Sequence, residues 1–114
     1  MRGLSEMADE TQNMIEEFQA YQQQLQSLLI QKESFKLQTM EIEKALEELS
    51  ATKEKAAYKI TGGIMVSKPV EELKKELQDT KETVEVRMKS FDKTEEKLNN
   101  KLKELQEKLQ VMMK

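Results

Sequence analysis

The chain has 114 residues and a formal net charge of -3, with 36% charged and 37% hydrophobic residues. Two Tyr, three Phe and no Trp leave few of the large side chains that fill a globular core. The two signs of charge are interspersed, which argues against nucleic acid as a partner because phosphate binding needs a concentrated basic surface. Composition therefore predicts long solvated helices.

Residue types also limit the chemistry. His and Cys are absent, which removes the usual general base, the usual nucleophile and most transition-metal ligands. Acidic pairs such as Glu16 and Glu17 recur beside Lys at helical spacing and are interpreted as solvated faces. We therefore expect no enzyme, no metal site and no cofactor.

The apolar runs are far shorter than the roughly 20 residues that span a bilayer, and no signal peptide is visible. We expect a cytoplasmic protein with no membrane partner.

The first half of the chain carries an apolar seam with coiled-coil spacing. Its steps alternate between four and three residues, a mean of about 3.5. No Gly or Pro occurs within residues 5–50, which are predicted to form one helix with Ser5 as its N-cap. Polar residues interrupt the seam, either as partly exposed positions or as residues that fix the register. The seam residues are Met7, Thr11, Met14, Phe18, Tyr21, Leu25, Leu28, Lys32, Phe35, Thr39, Ile42, Leu46 and Leu49.

The middle of the chain predicts a β-hairpin over residues 57–68. Two β-prone runs flank Gly62 and Gly63, which supply the positive φ that a two-residue turn requires. In the simplest register Ile60 faces Met65 and Tyr58 faces Ser67. A lone hairpin is marginal in water and has two unpaired edges, so we expect it to pair with strands of other chains. The predicted oligomerisation residues are Tyr58, Ile60, Ile64, Met65 and Val66.

A second helix is predicted over residues 69–114, with Pro69 in its first turn. If the hairpin reverses the chain, the two helices form an antiparallel coiled coil whose facing residue numbers sum to roughly 126, as in Leu49 with Leu77 and Met14 with Met112. Two consecutive steps of four, from Thr80 to Met88, predict a stutter. Two thin helices are expected to form no concave pocket. The second seam reads Val70, Leu73, Leu77, Thr80, Val84, Met88, Phe91, Glu95, Leu98, Leu102, Leu105, Leu109 and Met112.

Apolar residues cluster near both ends of the chain, beyond what the seam needs. They either close the coiled coil or form an adaptable surface that binds exposed apolar segments of other proteins, a role suited to flexible Met side chains. The candidate client-binding residues are Leu4, Met7, Met14, Ile15, Phe18, Leu105, Leu109, Val111, Met112 and Met113.

Four stretches resemble prefoldin, specifically the archaeal-type beta class. The most specific is the hairpin Tyr-Lys-Ile-Thr-Gly-Gly-Ile-Met-Val over residues 58–66, and the others are residues 16–26, 43–49 and 82–87. A single hairpin is similar to the beta class, whereas alpha subunits carry two. The resemblance implies one domain over residues 1–114, mainly α, in a hexamer of two alpha and four beta chains. Its hairpins would join an oligomeric β-barrel from which the coiled coils project.

The same resemblance implies an ATP-independent chaperone, a holdase. It would capture unfolded proteins at the coiled-coil tips and deliver them to a group II chaperonin. The alternative is a structural or adaptor coiled coil that dimerises through its hairpin and binds one folded partner.

Overall fold

The computed structural model describes residues 3–112. They form two helices, and the chain between the helices forms a two-stranded antiparallel sheet. Helix α1 spans Leu4–Ala51, strand β1 Ala56–Thr61, strand β2 Ile64–Pro69 and helix α2 Val70–Met112. The predicted order of elements is confirmed. Within the described residues, no helix is long and apolar enough to cross a membrane.

The helix boundaries follow from backbone hydrogen bonds. The Met7 N–H donates to the Gly3 carbonyl at 3.2 Å, so α1 begins one residue before the predicted start and Ser5 lies inside its first turn. Ser5 is therefore not the N-cap. At the other junction Pro69 ends β2 and α2 begins at Val70, so the proline precedes the helix. Its fixed φ and missing N–H are tolerated at the end of an edge strand.

The chain divides into two compact units. The terminal unit comprises Met1–Lys32 and Lys89–Lys114, and the hairpin unit comprises Glu33–Met88. Within the terminal unit Met14 and Met112 line one cleft while Leu28 and Leu98 line another, so the two helical segments run antiparallel. Leu49 and Leu77 likewise share a groove in the hairpin unit. All three pairs sum to 126, as the seam spacing predicts.

Packing in both units is concentrated on the predicted seams. Every buried hydrophobic residue among those described is a seam residue, and nearly all other seam positions are half-buried. No described side chain is fully buried, because a two-helix contact leaves each residue an open flank toward water. The buried residues are Leu28, Val70, Leu73, Val84, Leu98 and Leu105.

The stutter in α2 lies one turn earlier than the sequence predicts, between Leu73 and Lys81 and not between Thr80 and Met88. Thr80 is exposed and its hydroxyl donates to the Glu76 carbonyl at 2.9 Å, whereas Lys81 is half-buried in its place. With Lys81 as the seam residue, the steps from Leu73 to Leu77 and from Leu77 to Lys81 are both four, and threes and fours alternate from Lys81 onward. The aliphatic stem of Lys81 covers the seam while its Nζ reaches Glu43 of α1 at 3.5 Å.

The hairpin has the register that the sequence predicts. Ile60 pairs with Met65 and Tyr58 with Ser67, and the strands extend to an Ala56–Pro69 pair. Gly62 and Gly63 have φ of 57° and 80°, as a type I′ turn requires. The Val70 N–H donates to the Lys55 carbonyl at 2.9 Å, which closes the base of the hairpin where α2 begins.

Candidate functional site

The hairpin presents two chemically different faces. Directly paired residues point to the same side of an antiparallel sheet. One side, the apolar face, carries Tyr58, Ile60 and Met65 together with Ser67. The opposite side, the lysine face, carries Lys59, Thr61, Ile64, Val66 and Lys68.

The lysine face is held against α2 by a single carboxylate. Glu76 Oε1 accepts a hydrogen bond from Lys68 Nζ at 2.8 Å, and its Oε2 accepts one from Lys59 Nζ at 3.2 Å. The bonds from Lys68 and then Lys59 hold the pKa of Glu76 below its ordinary value. The same contact with Glu76 raises the pKa of Lys68. One side chain of α2 thus contacts both strands.

The apolar face points away from this ion cluster and is open to solvent. Ile60 is 73% exposed, and Tyr58 and Met65 are exposed to a similar degree. Ile64 and Val66, the other two predicted oligomerisation residues, are also exposed, although they lie on the lysine face. Among the described residues no third strand pairs with β1 or β2, so both outer edges retain unpaired backbone groups. Such an element can bind further strands.

The hairpin unit also contains a groove, which corrects the expectation that two thin helices form none. Its volume is about 800 Å³, and it lies where β1 passes beside the end of α1 and the start of α2. The crossing strand supplies the third wall that a helix pair lacks. The lining residues are Ala45, Glu48, Leu49, Thr52, Glu54, Ala56, Ala57, Tyr58, Lys59, Leu73, Glu76, Leu77 and Thr80.

The candidate client-binding residues of the terminal unit fall into two groups. Leu4 is 86% exposed, Val111 is 70% exposed, and Met7 is also exposed. The others face the helix contact: Leu105 is buried, while Met14, Ile15, Phe18, Leu109 and Met112 are half-buried. Met113 lies outside the described residues. Of the nine candidates that the structure describes, three have open side chains and six are used wholly or partly for packing.

Part of this set lines an apolar cleft. Met14 of α1 and Val111 and Met112 of α2 surround a volume of about 360 Å³, with Glu107 and Lys108 completing its wall. Because thioether chains change rotamer at low cost, a Met-lined cleft adapts to side chains of different shape. The cleft and the exposed Val111 form a continuous apolar region at the end of α2.

One polar cluster interrupts the seam of the terminal unit. Lys32 is 13% exposed at its side chain, and its Nζ lies 2.6 Å from both Asp92 Oδ1 and Glu95 Oε2. Hydrogen bonds to Asp92 and Glu95 raise the pKa of Lys32. The other two polar seam residues of α1 bond locally, since the Thr11 and Thr39 hydroxyls donate to carbonyls four residues earlier. Only Lys32 among the three therefore makes a polar bond across the seam.

Sequence reasoning missed two features of the surface. It did not assign a role to Glu76, although the predicted register already placed Lys59 and Lys68 on one face. It also did not single out exposed apolar residues outside the seam, for which the heptad pattern carries no signal. Those residues are Leu29, Ile30, Leu37, Met40 and Val86. In the described part of the chain, no group of three or more His, Cys, Asp or Glu residues could hold a metal ion.

Comparison with known proteins places this architecture in a family. A family model described as a prefoldin subunit matches residues 12–114. The prefoldin beta subunit of Archaeoglobus fulgidus is 36% identical over 111 residues, which cover 96% of each chain. The prefoldin beta subunit of Thermococcus onnurineus is 38% identical and covers 92% of this chain and 91% of its own.

A solved structure agrees with these sequence matches. The crystal structure of the prefoldin beta subunit from Thermococcus strain KS-1 superposes with a TM-score of 0.81 at 36% identity and covers 90% of both chains. The fold predicted from the heptad seams and the Gly-Gly turn is thus the fold of that protein. The chain belongs to the prefoldin subunit family and is a chaperone subunit of its beta class.

Proposed function

We propose that this chain is the beta subunit of a hetero-hexameric holdase in the cytoplasm, with two alpha and four beta chains. In this proposal the complex binds unfolded polypeptides without ATP and transfers them to a group II chaperonin. The observation that carries the proposal is that each of the two units has an exposed apolar surface of its own. The apolar face of the hairpin belongs to the hairpin unit, and Leu4, Met7 and Val111 belong to the terminal unit.

The hairpin is the proposed assembly element. Its free edges and the exposed side chains of Tyr58, Ile60 and Met65 would be unfavourable on an isolated chain in water. Burial of one such side chain contributes roughly 1.5–3 kcal/mol, and several copies sharing one sheet multiply that gain. Pairing with strands of the alpha subunit and of other beta subunits satisfies the edges at the same time.

The terminal unit is the proposed site of client binding. The cleft at Met14, Val111 and Met112 holds single apolar side chains without demanding one shape. Each contact is weak, but several ends on one complex raise the effective concentration for a flexible client. The apolar side chains can therefore hold a client and still release it.

The proposal is tested by aggregation of an unrelated denatured protein, followed by light scattering, with the complex assembled from this chain and an alpha-class prefoldin subunit. We expect suppression for several unrelated clients in the absence of nucleotide. A complex that binds one folded partner and suppresses no aggregation would contradict the proposal and support the adaptor alternative. Addition of a group II chaperonin then tests transfer. We expect the client to leave the complex and refold.

A further inference from the structure

We propose that Glu76 is a positioning residue for assembly, whose carboxylate holds the hairpin against α2 so that the apolar face is presented to neighbouring chains. The proposal deepens the proposed function, because it rests on assembly through the hairpin. It concerns the orientation of the hairpin relative to α2, which is a separate property from the pairing of its two strands.

The geometry singles out Glu76 because it bonds to both strands. Lys59 and Lys68 belong to β1 and β2 respectively and lie on the same face of the sheet. Their Nζ atoms lie 3.2 Å and 2.8 Å from the two oxygens of one carboxylate. A bond to one strand alone would leave the hairpin free to rotate about its long axis. Bonds to both strands oppose that rotation.

Apart from the groove that β1 forms with the two helices, little else sets the direction of the hairpin. Strand β2 runs directly into α2 at Pro69 and Val70, and the residues between α1 and β1 form no regular element. One backbone bond, from Val70 N–H to the Lys55 carbonyl, closes this junction. Glu76 lies six residues into the helix, about 9 Å along its axis from Val70. It therefore acts at a distance from the pivot, where a contact constrains direction most effectively.

Other carboxylates surround the two lysines without replacing Glu76. Glu72 of α2 interacts electrostatically with Lys68, and Glu48 of α1 and Glu54 of the connecting segment line the same groove as Lys59. None of these three has a hydrogen bond to either lysine among the described contacts. Loss of the Glu76 charge would therefore leave both lysines in an acidic environment but without the bridging bonds.

The first experiment measures native mass against concentration for the full chain mixed with an alpha-class prefoldin subunit. Glu76→Gln should raise the concentration of half-assembly by about fivefold, the scale of an exposed ion pair, and Glu76→Lys should prevent assembly. The triple reversal K59E/K68E/E76K should restore it, because it rebuilds the bridge with opposite signs. Glu71→Gln is the matched control, since the ion pair that Glu71 makes among the described residues is with Lys74 of its own helix, at 3.8 Å. Assembly of the Glu76→Lys variant at unchanged concentration would overturn the proposal.

A second measurement reports the orientation of the hairpin without assembly. The natural chain has no Cys, so spin labels at Thr61→Cys and Glu82→Cys report one distance across the hairpin unit. We expect a narrow distance distribution in the otherwise natural chain, a broad one with Glu76→Lys, and a narrow one again in the triple reversal. If the natural chain never assembles, the proposed function fails while this distance still tests Glu76. A narrow distribution with Glu76→Lys, or a broad one in the triple reversal, overturns the positioning role.

Discussion

The exchange of Leu28 for Ala tests whether the seam holds the terminal unit together. Leu28 is 7% exposed and lies beside Leu98 in a cleft that is open to water along Gln24 and Thr94. Water can fill the space left by the side chain, so the cost is the transfer of about three carbon groups without a large cavity penalty. At about 0.8 kcal/mol for each group, the substitution should destabilise this packing by about 2.4 kcal/mol.

Native-state hydrogen exchange is the appropriate assay, because helix ends open locally as well as with the whole chain. A loss of about 2.4 kcal/mol corresponds to about 60-fold faster exchange for amides that are protected by packing. The amides of α2 near Leu98 are the most informative, since they lie on the facing helix and their own sequence is unchanged.

Ile30→Ala is the matched control. Ile30 is two residues away on the same helix but is 66% exposed, so little apolar area is lost. Ala also has the higher helix propensity, and exchange near Leu98 should stay within about twofold of the natural chain. If Ile30→Ala accelerates exchange on α2 as much as Leu28→Ala does, the assignment of the seam as the packing surface is wrong.

Four further predictions follow from the hairpin and the helix ends. Ile60→Asp should abolish assembly, seen as a lower native mass, while circular dichroism stays largely helical; an unchanged mass would contradict the shared sheet. Gly63→Val should destabilise the hairpin by about 1–2 kcal/mol because the φ of 80° is strained for a β-branched residue, and faster exchange of strand amides measures this. Deleting residues 3–12 and 103–112 together should leave the complex assembled but remove suppression of aggregation, and loss of the hexamer would refute this separation of roles. The ion pairs of Glu76, whose folded pKa is lowered, should stabilise the hairpin above the unfolded carboxyl pKa near 4.5 and lose that contribution as pH falls through the folded pKa. Strand exchange measured against pH should show this loss in the natural chain, and the same loss in Glu76→Gln would assign it to another group.

The heptad spacing predicted much of the fold because burial on a helix pair largely follows the period of the apolar residues. Leu28 and Leu98 could be placed opposite each other from their numbers, since a two-residue turn fixes how the chain reverses. The hairpin register followed for the same reason, because Gly62 and Gly63 permit a type I′ turn and that turn leaves one alignment of the strands. The predicted helix boundaries differed from the structure by one residue, as at Pro69, because competing local preferences at a helix end have similar free energies.

The choice between Thr80 and Lys81 shows where periodicity stops being sufficient. Either position can continue the seam after Leu77, and apolarity alone favours neither. The answer depends on Glu43 of α1, whose carboxylate lies 3.5 Å from the Lys81 ammonium and allows the aliphatic stem to cover the seam. A seam pattern within one helix cannot contain that information.

By itself, the sequence determined the order of elements, the antiparallel pairing and the strand register, because each follows from spacing and from local backbone preference. Tertiary structure decided which face of the hairpin meets α2, which end residues remain exposed, and that a groove lies beside β1. These properties depend on side chains from separate elements meeting in space, as Lys59, Lys68 and Glu76 do. Such meetings have no period along the chain, so only the folded arrangement reveals them.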